Sequence, residues 1–181
     1  MIKTITKKDE QFFKLLYCCG VVTEYGLQLM KISNYKINLY KKNNFIDAVY
    51  ENGKKGYKLT NKSKKMMSKL YGLKRSYTYR SISHCSKLQE IYLNLNLERY
   101  KWITESEAMD LLNNKVNSVD NYYSNEINSI DISPVDAIIV DLETNVSYGI
   151  EVVSKSYREK NLNKKERFLR ILDIEAVFIE C

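Results

Sequence analysis

The segment that most restricts the fold is residues 45–72, FIDAVYENGKKGYKLTNKSKKMMSKLYG. Two short runs of strand-forming residues, FIDAVY and GYKL, flank a polar stretch containing Asn52-Gly53. That pair favours the left-handed backbone of a two-residue turn and gives a strong short-range hairpin signal. Thr60 then stands at a helix N-cap position, and the lysine-rich helix it opens runs to Gly72.

Upstream lie three helical patterns. KKDEQFFKLLYCCG places Phe12, Phe13, Leu15, Leu16 and Cys19 on one face and stops at Gly20. Thr23 can cap a short helix with Leu27 and Met30 inward. Ser33 can cap a third helix in SNYKINLYKKNNF, whose inward pair is Ile37 and Tyr40. Lys36, Asn38, Lys41 and Lys42 then point away from the core, and Asn44 suits a left-handed helix end.

Charge divides the chain. Residues 1–83 hold 18 Lys and Arg against 5 Asp and Glu, whereas the remainder holds 11 against 17. Such asymmetry suggests two modules, one of them facing a polyanion; the bland alternative is a solvated lysine surface. No apolar run approaches the roughly 20 residues that cross a bilayer, and MIKTITKKDEQFF contains no signal-peptide core. A cytoplasmic protein without membrane contact is therefore expected. The four cysteines (Cys18, Cys19, Cys85, Cys181) and the single histidine lack metal-ligand spacing, which argues against zinc and for reduced buried thiols.

Three helices, a hairpin and a closing helix make a winged helix-turn-helix, and GYKLTNKSKK resembles the wing-to-helix junction of winged-helix regulators. Ser63 stands where that junction usually has glycine. A groove-sized helix bearing Lys36, Asn38, Lys41 and Lys42 can direct lysines to phosphates or guanine edges and asparagine toward adenine. Lys54 and Lys55 at the hairpin tip can reach backbone phosphates. Many winged helices mediate protein contacts instead, but the basic excess points to double-stranded DNA as the partner.

After a basic linker, GLKRSYTYRSIS, the patterns change. Tyr77 and Tyr79 there suit either packing or base stacking. A helix is expected from Ser83 with Leu88, Ile91, Leu95 and Tyr92 inward, followed by a shorter helix opening on the capping box Thr104…Glu107. VNSVDNYYSNEINSID is expected as a surface loop. DAIIVDL is continuously apolar, as in a central strand covered on both faces; YGIEVV returns beside it after ETNVS. A helix with Phe168, Leu169 and Leu172 inward and a last strand, IEAVFIEC, require a mixed sheet with helices around it.

This second half resembles the PD-(D/E)xK nuclease-like fold. The resemblance places the family's carboxylates at Asp136 (with one residue inserted after Pro134) and Glu151, and offers Glu90 as a third ligand. Valine occupies position 153, where the family has lysine. Lys155 lies two residues further on the same strand face, and Lys160 or Lys164 on the next helix are other substitutes. Two carboxylates can hold Mg²⁺, which acidifies a water, while the lysine orients that water or stabilises developing charge. Valine does neither, so the expectation is a domain that has lost catalysis, needs no cofactor and serves as a scaffold; an active Mg²⁺-dependent endonuclease using Asp136, Glu151 and Lys155 is the alternative.

The order winged helix, helix opening near His84, then PVDAIIV…YGIEVV, resembles the replication-relaxation family of plasmids and conjugative elements. That resemblance implies a replication, transfer or regulatory factor of a mobile element. Its partners would be double-stranded DNA, a replication or transfer protein, and a second copy of itself; a repressor dimerising through its C-terminal domain is a further alternative. The expected architecture is α+β: residues 1–72 as the winged helix, 73–82 as linker and 83–181 as the nuclease-like domain.

Overall fold

The computed structural model describes residues 5–73, 75–118, 131–154 and 159–181. Within them the chain is mixed α+β and divides into two compact units, residues 1–95 and 96–181. The sequence had suggested a second domain from residue 83; the helix there belongs with the first unit instead. Among the described residues no helix is long and apolar enough to cross a membrane.

The first unit runs α1 (Lys7–Cys19), β1 (Val22–Thr23), α2 (Glu24–Leu29), α3 (Asn34–Lys42), β2 (Ile46–Glu51), β3 (Lys54–Leu59), α4 (Asn61–Tyr71) and α5 (Ile82–Asn94). Thr6 and Asp9 form a capping box at the start of α1, and Gly20, at φ +82°, ends it. The expected apolar face of α1 is buried, but Tyr17 and Cys18 are buried too, so the C-terminal part of the helix, Leu15–Cys19, is enclosed all round. Part of that enclosure comes from α5, which packs on α1, β1 and β3. Cys19 sits at this contact; burial, with Cys18 and Cys85 nearby, pushes its thiol well above the usual range and keeps it protonated. Cys181, by contrast, is exposed.

The side chain that fixes α5 is Gln89, which is fully buried. Its Oε1 accepts from the Thr23 amide at 2.9 Å and its Nε2 donates to Thr23 Oγ1 at 3.2 Å. Gly26 on α2 has no Cβ because one would lie 2.5 Å from Gln89 Oε1. The segment read as a linker is tied down as well. The Tyr77 amide donates to the Tyr17 carbonyl at 2.8 Å, and the Tyr77 hydroxyl meets His84 Nε2 at 2.8 Å. Tyr79 reaches Glu51 on β2 at 3.2 Å. His84 is thus a packed, hydrogen-bonded residue; the cap of α5 is Ser81.

The sheet of this unit has the order β1-β3-β2, antiparallel throughout. Glu51 pairs with Lys54, leaving Asn52 (φ +49°) and Gly53 (φ +73°) as a two-residue turn, so both strands extend further into ENGKKG than the sequence suggested. The two-residue β1 went unforeseen because Val22-Thr23 is too short to show an alternation. Thr60 caps α4 as expected, and Ser63, fully buried, turns its hydroxyl to the Phe45 carbonyl, which gives the glycine substitute a partner.

The second unit contains β4 (Tyr100–Thr104), α6 (Glu105–Asn117), β5 (Ala137–Asp141), β6 (Ser147–Val153), α7 (Glu159–Leu172) and β7 (Glu175–Glu180). Its sheet order is β4-β5-β6-β7, with only the β6–β7 pair parallel, as a helical crossover through α7 requires. Ile103, Ala108, Leu112, Val135, Ile138, Phe168 and Leu169 form its core. At Gly149 a Cβ would lie 2.3 Å from Leu169 Cδ2, so glycine lets α7 settle on β6. The capping box Thr104…Glu107 is present. Strand β4 was not foreseen: YKWIT is short and runs straight into that cap. The expected surface loop 116–131 begins in the last residues of α6, which runs to Asn117, and otherwise falls largely outside the described residues.

Candidate functional site

Helix α3 presents two chemically distinct faces. Ile37 and Tyr40 are 2% and 1% exposed and anchor the helix, Tyr40 by stacking on Phe12 with ring centroids 5.3 Å apart. Asn34, Tyr35, Asn38, Lys41 and Lys42 are all exposed. Their spacing (i, i+1, i+4, i+7, i+8) places them on a single stripe. Tyr35, 75% exposed, is the most exposed large hydrophobic side chain of the helix and was not singled out in the sequence. No acidic residue lies on α3.

Lys36 departs from the expected outward set. Its ammonium is ion-paired with Asp9 on α1, and the Tyr40 hydroxyl donates to the same carboxylate oxygen. The other oxygen of Asp9 accepts the Thr6 amide at 2.9 Å. Burial raises the Asp9 pKa, but Lys36, Tyr40 and Thr6 together outweigh it and bring the group down to about 2. A carboxylate on the buried face of α1 thus draws Lys36 back toward the core. Asn38, Lys41 and Lys42 remain on the exposed stripe.

The hairpin contributes a second basic element. Lys54 is exposed beside the turn, while Lys55 lies 5.4 Å from the Tyr57 ring centroid and 6.0 Å from that of Tyr50. Hydrogen bonding to Tyr57 raises the Lys55 pKa, so this ammonium stays charged. Between α2, α3 and the hairpin runs a cleft of about 690 Å³, whose polar lining includes Lys31, Asn34, Asn38 and Lys55. Beyond the C-terminal end of α3, Lys62 donates to the Asn43 carbonyl at 2.8 Å, where a cation complements the helix dipole.

The second unit brings together three charged side chains. Asp136 immediately precedes β5, and Glu151 lies on β6, one step along the ladder from the Ala137–Ile150 pair. Their carboxylates plug into each other's strands: the Asp136 amide donates to Glu151 Oε2 at 3.0 Å and the Val152 amide to Asp136 Oδ2 at 2.8 Å. The lysine that joins them is Lys165 on α7, neither of the two lysines weighed on that helix. Its Nζ is 3.1 Å from Glu151 Oε2 and also donates to the Pro134 carbonyl. Lys164 pairs with Asp131 at 2.7 Å and Lys160 is exposed. The signal for Lys165 was its position three and four residues before Phe168 and Leu169, a lysine on the apolar stripe of an amphipathic helix.

Glu90 lies in the first unit on the exposed side of α5, paired with Lys87 at 3.0 Å. The helix that carries it turns Leu88 and Gln89 inward to unit one. Lys155 falls outside the described residues.

This geometry does not fit a divalent cation. Mg²⁺ takes near-octahedral oxygen donors and keeps several waters. Here Asp136 and Glu151 are both 0% exposed, each spends an oxygen on a backbone amide, and the Lys165 ammonium already neutralises Glu151. Among the described residues no three His, Cys, Asp or Glu side chains are grouped to hold a metal. The arrangement is a closed internal ion pair.

Comparison with known proteins finds no matching family model, no matching curated protein and no matching solved structure.

Proposed function

We propose that the chain is a sequence-specific double-stranded DNA-binding protein. In this reading the first unit acts as a winged helix-turn-helix, with α3 in the major groove and the β2–β3 hairpin against the phosphate backbone. The order α1-β1-α2-α3-β2-β3-α4 and the β1-β3-β2 sheet suit that assignment. The observation that carries the proposal is the two-faced α3, locked inward by Ile37, Tyr40 and Lys36 and offering an acid-free polar stripe outward. An α-helix with its side chains is about 10–12 Å across, which matches a major groove about 12 Å wide. The exposed lysines Lys41 and Lys42 of α3 and Lys54 at the hairpin tip supply the phosphate contacts that make such binding salt-sensitive.

The second unit serves as a scaffold in the same proposal. Its four-stranded sheet, with carboxylates just before β5 and on the neighbouring β6, suits the nuclease-like framework the sequence resembles, and the closed Asp136–Glu151–Lys165 cluster supports a structural use of it. A role in replication, transfer or regulation of a mobile element rests on the family resemblance alone.

Footprinting on plasmid DNA with and without Mn²⁺ tests both parts. The expected result is a defined, salt-sensitive footprint that needs no metal, with no nicks. Mn²⁺-dependent nicking lost in Asp136→Ala or Glu151→Ala would replace the scaffold assignment with endonuclease activity. A footprint over a promoter rather than an origin would assign the protein as a repressor.

A further inference from the structure

Resting on that DNA-binding reading, we infer that α3 selects A·T base pairs, with Asn34, Tyr35 and Asn38 as the residues that read them. Recognition helices of this type contact base edges with their N-terminal residues, while the distal end lies over backbone. The stripe of α3 is divided accordingly. Asn34, Tyr35 and Asn38 occupy its first half and Lys41 and Lys42 its last turn.

The chemistry of the first half is selective. An asparagine amide donates and accepts at once, matching the adenine N7 and N6 pair in the major groove. An aromatic ring suits the thymine methyl. Guanine presents two acceptors, N7 and O6, and is matched by arginine or lysine. The one lysine within this half, Lys36, is turned away and held by Asp9, and α3 contains no arginine. Lys31 precedes the helix and lines the cleft with Lys55, a position suited to phosphate. The ion pair inside the first unit therefore removes a guanine-reading cation from the groove face. The inference concerns which bases are read, and the DNA-binding proposal concerns whether duplex is bound at all.

Selection of binding sites by the full chain from a randomised duplex library, followed by titration of single-base-pair variants, tests this. The expected outcome is a core containing adjacent A·T pairs, with a change of one of them to G·C weakening binding by about tenfold to a hundredfold. Asn38→Ala and Tyr35→Ala, both at exposed positions, should each flatten the preference at one base pair, whereas Lys41→Ala should weaken all duplexes alike. A G·C core, or an unchanged preference in Asn38→Ala and Tyr35→Ala, would overturn the inference while leaving DNA binding intact. Failure to enrich any duplex, with no salt-sensitive binding, would overturn both.

Discussion

Lys36 on α3 is ion-paired with Asp9 on α1, so the helix that offers its outer face to a ligand is held from behind by one of its own lysines. Tyr40, one turn further along, donates to the same carboxylate. The α1–α3 contact therefore combines ring stacking with a largely buried, fully partnered charge, and the orientation of the outer stripe depends on it.

This contact should show in the acid limb of stability. Asp9 has a folded pKa of about 2 against an ordinary value of 3.8. A depressed carboxylate contributes stability that is complete above its unfolded value and lost as pH falls toward the folded one. The contribution is on the order of 2 kcal/mol. Urea titrations should find wild type losing that amount between about pH 4 and about pH 2, with Asp9→Asn less stable at neutral pH and lacking this component.

Lys36 and Lys41, five residues apart on one helix, should behave oppositely. Lys36→Gln leaves Asp9 without its ammonium and should lower stability by about 1–3 kcal/mol. Lys41→Gln should leave the melting temperature unchanged but weaken duplex binding and reduce the salt slope by about 1. Thermal melts beside binding isotherms at several salt concentrations separate the two. Equal behaviour in both measurements would remove the basis for treating only one as a DNA contact.

Gln89 and Gly26 form a double-mutant pair. Gln89→Ala strips the buried Thr23 amide of its acceptor and should cost about 1–3 kcal/mol. Gly26→Ala pushes a methyl to 2.5 Å from Gln89 Oε1 and should also destabilise. With the amide removed, the added methyl has room, so the double variant should be more stable than additivity predicts. Chemical denaturation of the four proteins reads the coupling directly.

Lys165→Met should be among the most damaging single changes in the second unit. It leaves the fully buried Glu151 carboxylate without its cation, at a cost of about 3–5 kcal/mol. Glu151→Gln combined with Lys165→Met removes both charges and should recover much of the loss, because a neutral amide needs no counter-ion. Denaturation of both variants, with circular dichroism to confirm folding, gives the comparison; a double variant no better than Lys165→Met would argue against the ion pair as the cause.

Local signals were legible in the chain itself. Asn52-Gly53 set the hairpin, Ser33, Thr60 and Thr104 set helix starts, and the inward residues of α3 and α7 followed from helical spacing, because caps, turns and periodicity act within a few residues of chain. The exposed positions of Asn38, Lys41 and Lys42 came from the same rule. Tertiary structure alone decided that Lys36 turns to Asp9, that Gln89 carries α5 onto the first unit, and that Lys165 meets Glu151. Each of these joins residues distant in sequence, and a buried charge or amide takes whichever partner the packed backbone brings within hydrogen-bonding distance. Spacing along the chain does not encode that distance.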